Sequence, residues 1–229
     1  MPNWTSNRVV IKGNADTLKT IKESLQTEDQ SFDFNKIIPM PESLNLVSGG
    51  ITDTSVQVAQ SKKGSAKRAK LMSSINLPYD LSMYYAGYGP KVLNTEEDVV
   101  ALGQIYIDNE KKYGHRTWYN WCCENWGTKW NACDSELSSE EDGQLEYCFQ
   151  TAWSEPAPVF IELSKKFPDV TVTNHANYEN PEPWRTYITE FKNGEVISES
   201  DEVDEDMKEE YESYFDDDDE DEEEETDNA

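Results

Sequence analysis

The chain has 229 residues, of which 47 are acidic and 20 are basic, so its formal net charge is −27. Only 36% of the residues are hydrophobic and the mean hydropathy is −0.83, which predicts that part of the chain is too polar to fold. A surface this acidic repels nucleic-acid phosphates and anionic lipids, so we expect no direct binding to nucleic acid or to a membrane. Neither a transmembrane run nor a signal peptide is recognisable, and we expect a cytoplasmic protein.

The first 41 residues predict a β–α unit followed by an extended segment. Residues 8–12 have the pattern of a short strand. Leu18, Ile21 and Leu25 then form the apolar stripe of an amphipathic helix. Residues 32–41 begin with two phenylalanines spaced for one face of an extended chain and end with two prolines that stop it.

Residues 51–114 have the character of an insertion. The run 62–70 is the only basic cluster, which predicts an exposed, solvated helix or loop, or an internal partner for acidic residues; contact with nucleic acid is the less favoured alternative. Residues 94–98 are a good helix start before a second amphipathic pattern. Between these two features lies a tyrosine-rich patch, which consists of Tyr79, Met83, Tyr84, Tyr85 and Tyr88.

Residues 118–132 contain four of the seven tryptophans. One interpretation is a core-forming strand and turn with a tight bend at Gly127, and we favour it because tryptophans bury large areas and the chain has few aliphatic residues. The alternative is a recognition surface on which aromatic rings stack against a base or a peptide. The candidate binding residues are Trp121, Glu124, Asn125, Trp126, Lys129 and Trp130.

The following segments predict further strands. Residues 145–153 and 169–176 have strand patterns, and residues 159–167 between them have the pattern of a helix. Residues 185–197 predict a hairpin, because the central Asn193-Gly194 pair is a strong turn signal.

Taken together, the elements predict an α+β fold. We expect an antiparallel or mixed sheet with helices packed on one face, a helical insertion, and an acidic, mostly disordered C-terminal tail. The expected boundaries are residues 1–197 for the domain, about 51–114 for its insertion, and 198–229 for the tail.

The cysteines and histidines predict no metal site. The four cysteines lack the paired spacing of zinc ligands, so we expect packed, reduced thiols and neither a metal nor a cofactor. Asp33, Glu124 and Asp134 are conceivable as a carboxylate cluster, although acidic residues are abundant enough for coincidence. No known catalytic or phosphate-binding motif is present, so no catalytic residue is predicted and an enzyme of unknown reaction is the least favoured function.

The C-terminal tail is the most unusual feature. Residues 195–229 include 21 acidic residues and one basic residue, and residues 216–225 are ten consecutive acids. Self-repulsion predicts disorder, with residues 202–215 becoming helical on binding. The tail either aids solubility alone or mimics nucleic acid, whose duplex carries about one charge per 1.7 Å. The candidate partner-binding residues are Tyr211, Tyr214, Phe215, Asp216, Asp217, Asp218 and Asp219.

Several of these segments resemble the YubB-like proteins. The resemblance lies in residues 1–9, 32–41, 118–132 and 151–168, and the run from Asn125 to Trp130 is its most specific motif. Members of this family are carried by phages, plasmids and integrated elements. The resemblance implies a ferredoxin-like α+β domain and a mobile-element origin, but it implies no activity and no catalytic residues.

These observations lead to a hypothesis about function. We expect a non-enzymatic binding protein of a phage or mobile element that engages a host protein with a basic surface in the host cytoplasm. Inhibition of a host defence or nucleic-acid-processing protein through the acidic surface is the expected outcome. The alternative is the binding or sequestering of a nucleotide-type ligand. The residues expected to bind it are Trp126, Lys129, Trp130, Tyr84, Tyr85 and Tyr88.

Overall fold

The computed structural model describes residues 3–82, 87–179 and 182–216, with side chains described up to residue 212. The chain divides into two compact units, which we call the sheet unit (residues 1–37 and 130–229) and the helical unit (residues 38–129). Two 3-10 turns, Phe34–Lys36 and Glu42–Leu44, accompany the regular elements. These elements are β1 (Trp4–Lys12), α1 (Ala15–Leu25), α2 (Gly50–Gln60), α3 (Ala66–Met72), β2 (Tyr79–Asp80), β3 (Val92–Leu93), α4 (Glu96–Tyr113), α5 (Trp118–Asn125), β4 (Cys133–Glu141), β5 (Gln144–Ala152), α6 (Ala157–Lys166), β6 (Thr171–Tyr178), β7 (Arg185–Lys192), β8 (Glu195–Val203) and α7 (Glu205–Asp216).

Six strands of the sheet unit form one antiparallel sheet in the order β4-β5-β1-β6-β7-β8. Four of these strands and two helices follow one another as β1–α1–β4–β5–α6–β6, which is the ferredoxin-like arrangement. The β7–β8 hairpin extends the sheet beyond β6. The predicted α+β, ferredoxin-like fold class is therefore confirmed, with the antiparallel form of the sheet.

One face of the sheet is buried together with α1 and α6. Alternate side chains of a strand point to opposite faces, so Val9 and Ile11 of β1 enter this core while Arg8 does not. The Phe32 ring is completely buried, and its centroid lies 5.2 Å from those of both Tyr147 and Phe149. Burial of these large apolar side chains is the main stabilising contribution. The helices contribute Leu18, Ile21, Leu25, Val159, Phe160 and Leu163.

Helices α2 and α4 pack closely in the helical unit. At Gly103 the backbone of α4 approaches α2 so closely that an added Cβ would lie 2.1 Å from the Ser55 carbonyl oxygen. Tyr106, one turn further along α4, is fully buried and donates its hydroxyl proton to the Val47 carbonyl at 2.8 Å. The core of this unit therefore forms around a direct contact between two helices.

The helical unit is wider than the insertion that composition suggested at 51–114. The Ser43 hydroxyl lies 2.7 Å from the Asn109 side-chain oxygen, and the Thr117 hydroxyl lies 3.1 Å from that of Ser48. These hydrogen bonds attach the irregular segments on both sides of the insertion to the same unit. Their partners are 66 and 69 residues apart in sequence, so a scan of local composition does not reveal them.

The tryptophan-rich segment does not form the strand that was predicted for it. Residues 118–125 form α5, in which Trp121 and Cys122 are buried and the Asn125 side chain donates to the Trp121 carbonyl at 2.9 Å. The prediction was wrong because the β-preference of aromatic residues reflects packing on a sheet surface, whereas Trp121 and Cys122 are buried on a helix.

The C-terminal segment is regular further along the chain than predicted. β8 runs to Val203, beyond the expected end at residue 197, and all of its residues except Ile197 pair with β7. α7 then forms over residues 205–216, and the Asp204 carboxylate caps it by accepting from the Met207 backbone N–H at 3.0 Å. The rest of the predicted tail lies outside the described residues.

Candidate functional site

The tryptophans predicted as a binding surface are divided between the two units. Trp121 and Trp126 are buried in the helical unit with their ring centroids 5.7 Å apart, and Trp126 donates its indole N–H to the Ile38 carbonyl at 2.9 Å. These two rings are therefore part of a core, as in the favoured interpretation. Trp130 belongs to the sheet unit, where it is half-buried and lies 5.9 Å from Trp4.

The polar candidates of the same segment have partners within the helical unit. The Glu124 carboxylate lies 2.5 Å from His115 Nε2, and the Lys129 ammonium lies 5.5 Å from the centroid of the Tyr119 ring. The Asn125 amide is occupied by the Trp121 carbonyl. Glu124, Asn125 and Lys129 therefore each contact another residue of the helical unit.

Part of the tail site is described. The Tyr211 ring of α7 lies 4.9 Å from that of Trp184, which precedes β7.

In the tyrosine-rich patch, Tyr88 packs against the core of the helical unit. Tyr214, Phe215 and Asp216 belong to α7 without described side chains, and Met83, Tyr84, Tyr85, Asp217, Asp218 and Asp219 lie outside the described residues.

Carboxylates and thiols were the other candidates for chemistry. Asp33 accepts hydrogen bonds from the Asn131 side chain at 2.7 Å and from the Asn35 backbone at 2.9 Å, so it fixes a turn. Burial raises the pKa of Cys122 to about 12, which keeps the thiol protonated and unreactive. Among the described residues, no group of three or more histidine, cysteine, aspartate or glutamate side chains is placed to hold a metal ion. None of the helices described is both long and apolar enough to cross a bilayer.

The helix-free face of the sheet is polar, and a groove of about 500 Å³ crosses it. Arg8 of β1 stands in register between Cys148 of β5 and His175 of β6, and it pairs with Glu146 at 3.4 Å. Burial, and next the Arg8 charge, lower the pKa of His175, while nearby carboxylates oppose this shift. Basic and acidic side chains are interspersed on this face.

A second pocket lies on the opposite side of the sheet, beside β8. Its volume is about 420 Å³, within the usual range for ligand sites. No local sequence pattern reveals this pocket, because its residues come from three strands and two loops. We call it the tyrosine–glutamate pocket, and it is lined by Glu155, Tyr178, Glu182, Tyr187, Thr189, Glu199 and Ser200.

Glu155, directly before α6, is held in place by the sheet. One carboxylate oxygen accepts from the Asn174 amide at 2.8 Å, and the other accepts from the Thr189 hydroxyl at 3.4 Å. Burial raises the pKa of Glu155, the two hydrogen bonds oppose this rise, and the negative charge of Glu199 adds to it. No lysine or arginine of the described residues forms an ion pair with Glu155 or Glu199.

Two tyrosines form another wall of the pocket. The ring centroids of Tyr178 and Tyr187 are 5.3 Å apart with an interplanar angle of 78°, and Tyr187 is 40% exposed. Glu182 is held by Arg185 at 2.5 Å, and the same guanidinium also binds Asp201. The pocket therefore combines an exposed aromatic ring with two carboxylates, Glu155 and Glu199, that form no ion pair within the described part of the chain.

Charge is distributed unequally between the units. The helical unit contains nine acidic and ten basic residues, whereas the rest of the chain contains 38 acidic and ten basic residues. Both edge strands of the sheet are acidic. β4 carries Asp134, Glu136, Glu140 and Glu141, and β8 carries Glu195, Glu199, Asp201 and Glu202.

The C-terminal part of the chain is similar to a known family. Residues 125–228 match a family model described as "Ferredoxin-like domain in Api92-like protein". The matched segment, which is less than half of the chain, is similar to this ferredoxin-like domain. Among solved structures, it is similar to the crystal structure of protein Api92 from Yersinia pseudotuberculosis, at 10% identity and a TM-score of 0.46, with 89% of this chain and 99% of that chain covered. No protein with a curated description matches the chain significantly.

Proposed function

We propose that the chain is a binding protein that engages a basic surface on another protein. The observation that supports this proposal is the segregation of charge, because the sheet unit with its tail has a net charge of −28 while the helical unit has +1. Acidic residues on both edge strands and on α7 extend this charge over a structured surface. Such a surface attracts a basic partner and accelerates their encounter.

The resemblance to YubB-like proteins supports a further step in this proposal. A protein carried by a phage or other mobile element acts inside a host cell, where nucleic-acid-processing and defence proteins present basic surfaces. We propose that occupation of such a surface inhibits the host protein, with the acidic residues in place of phosphates.

Binding of a nucleotide-type ligand stays the alternative. The half-buried Trp130 and Trp4 rings give it limited support, because rings of this kind can stack on a base. Titration of the full chain with a nucleotide panel tests this alternative, and an absence of heat or spectral change contradicts it.

The main proposal is tested by capture from a bacterial lysate with the full chain as bait, followed by binding measurements with each purified candidate. A variant with Glu195→Gln, Glu199→Gln and Glu202→Gln removes three charges from β8. The matched control, with Glu42→Gln, Asp80→Asn and Asp108→Asn, removes three charges from the helical unit.

We expect the β8 variant to weaken binding of the purified partner by about tenfold or more, and the control variant to leave it unchanged. Binding by the full chain should also weaken steeply between low and physiological salt. Equal loss of binding in the two variants, or no partner above the level of the empty matrix, would contradict the proposal.

A further inference from the structure

We propose that the tyrosine–glutamate pocket receives the guanidinium group of an arginine side chain from a protein partner. The inference rests on the proposed function and names the contact through which the acidic unit would recognise that partner. Nothing in the similarity to Api92 assigns this pocket a ligand.

The chemistry of the walls matches this group. Glu155 is fixed by Asn174 and Thr189, each of which occupies one lone-pair direction of a different carboxylate oxygen. Both oxygens keep a further lone pair, and a guanidinium can bind two such oxygens at once through parallel N–H donors. Glu199 adds negative charge on the neighbouring strand, in register with Thr189. Arg185, which contacts the lining residue Glu182, also binds Asp201.

The aromatic wall favours arginine among cations. Tyr187 exposes 40% of its surface, and its ring is held edge-to-face against Tyr178. A planar guanidinium stacks on such a ring face while its edge donates to a carboxylate, whereas an ammonium is a compact and strongly hydrated charge.

The position of the pocket favours a protein segment over a free small molecule. It opens beside β8, which is the last strand of the sheet and is exposed along nearly its whole length. The outer backbone groups of β8 are not paired within the sheet, so an extended segment of another chain can lie along it and place one side chain in the pocket.

The competing explanation is structural, with Glu155 only linking β6, β7 and the start of α6. It is consistent with the same hydrogen bonds but predicts no preference for a guanidinium. Under this explanation, replacement of Glu155 should change the stability of the protein and leave arginine binding unchanged.

The test is an NMR titration of the full chain with N-acetyl-arginine amide, using N-acetyl-citrulline amide as the neutral isostere. We expect saturable shifts of the backbone amide signals of Glu155, Tyr187 and Glu199 with the arginine compound. The citrulline compound should bind at least about tenfold more weakly than the arginine compound. Glu155→Gln and Tyr187→Leu should each weaken arginine binding several-fold. Glu190→Gln, on the same strand as Tyr187 but on the opposite face, should leave it unchanged.

The proposal is overturned if arginine gives no saturable shift, if citrulline binds equally well, or if Glu190→Gln weakens binding as much as Glu155→Gln. These outcomes are separable from those of the proposed function. Retention of a basic partner without arginine binding rejects the pocket alone, and arginine binding without any protein partner rejects the proposed function alone.

Discussion

Arg68 differs in burial from the lysines of the same basic run. Lys62, Lys63, Lys67 and Lys70 are exposed, which agrees with a solvated cluster. The Arg68 side chain is only 9% exposed. Its guanidinium donates to the carbonyls of Val58 and Ser61 and pairs with Glu96 at 3.1 Å, so it satisfies carbonyl groups at the end of α2.

We expect Arg68→Ala to lower the free energy of unfolding by about 2–4 kcal/mol, because it removes a buried side chain, leaves Glu96 without its cation and takes one donor from the Val58 and Ser61 carbonyls. Lys67→Ala, one residue earlier and exposed, should change it by less than about 0.5 kcal/mol. Urea unfolding of both variants measures the difference. Equal midpoints would show that Arg68 is as dispensable as its neighbour.

Glu155 provides a test of pH dependence at the residue scale. Burial, with a further contribution from Glu199, raises its pKa in the folded protein above the ordinary value of 4.5. The folded state therefore keeps the proton to higher pH than the unfolded chain, and the stability contributed by this group is lost as pH rises from 4.5 through the folded pKa. Tyr178, Tyr187 and the Glu182–Arg185 pair also border this carboxylate.

We expect Glu155→Gln to be more stable than the parent chain at pH 7, with a difference that shrinks as pH falls toward 4.5. Thermal melting of both proteins between pH 4.5 and 8 measures this difference, and Glu190→Gln serves as the control on the opposite face. A stabilisation that grows as the pH falls would contradict the assigned burial of Glu155.

Helices α2 and α4 show how one small residue sets the spacing of two elements. Gly103 lies inside an 18-residue helix, where glycine ordinarily costs about 1 kcal/mol relative to alanine. The cost is offset because any Cβ would overlap the Ser55 carbonyl group, which belongs to the backbone of α2 and cannot rotate away. The tight helix crossing therefore requires glycine at this position.

We expect Gly103→Ala to destabilise the helical unit by about 2–4 kcal/mol through forced separation of the two helices. Gly50→Ala is the matched control, since an added Cβ at the start of α2 meets no atom within 4 Å. It should be neutral or stabilising by up to about 1 kcal/mol. Denaturant unfolding monitored by circular dichroism distinguishes the two, and equal effects would contradict the close approach.

The whole molecule concentrates its excess charge in one unit and its tail. Repulsion among like charges opposes the compact state, and salt screens that repulsion. The Debye length falls from about 30 Å at 0.01 M ionic strength to about 8 Å at 0.15 M, so the screening is strong within the physiological range.

We expect the melting temperature of the full chain to rise as NaCl increases from about 10 mM to 150 mM. A chain that ends at Asp216 lacks ten further acidic residues and should show a smaller rise. Calorimetry of both chains at several salt concentrations measures the two slopes. A melting temperature that falls with salt would mean that attractive ion pairs outweigh the repulsion.

The sequence by itself determined the features that depend on nearest neighbours along the chain. The stripe of Leu18, Ile21 and Leu25 predicted α1, Asn193-Gly194 predicted the turn between β7 and β8, and the acidic run predicted the charge asymmetry. These signals are local, because helix period, turn conformation and charge density are properties of short segments.

Tertiary structure alone decided which distant residues meet. It placed Trp121 on a buried helix instead of a strand, because packing overrides the weak local preference of aromatic residues. It also assembled the tyrosine–glutamate pocket, whose residues span positions 155–200. That assembly depends on strand register, since Thr189 faces Asn174 on one side and Glu199 on the other, and a shift of one residue would turn each side chain to the opposite face.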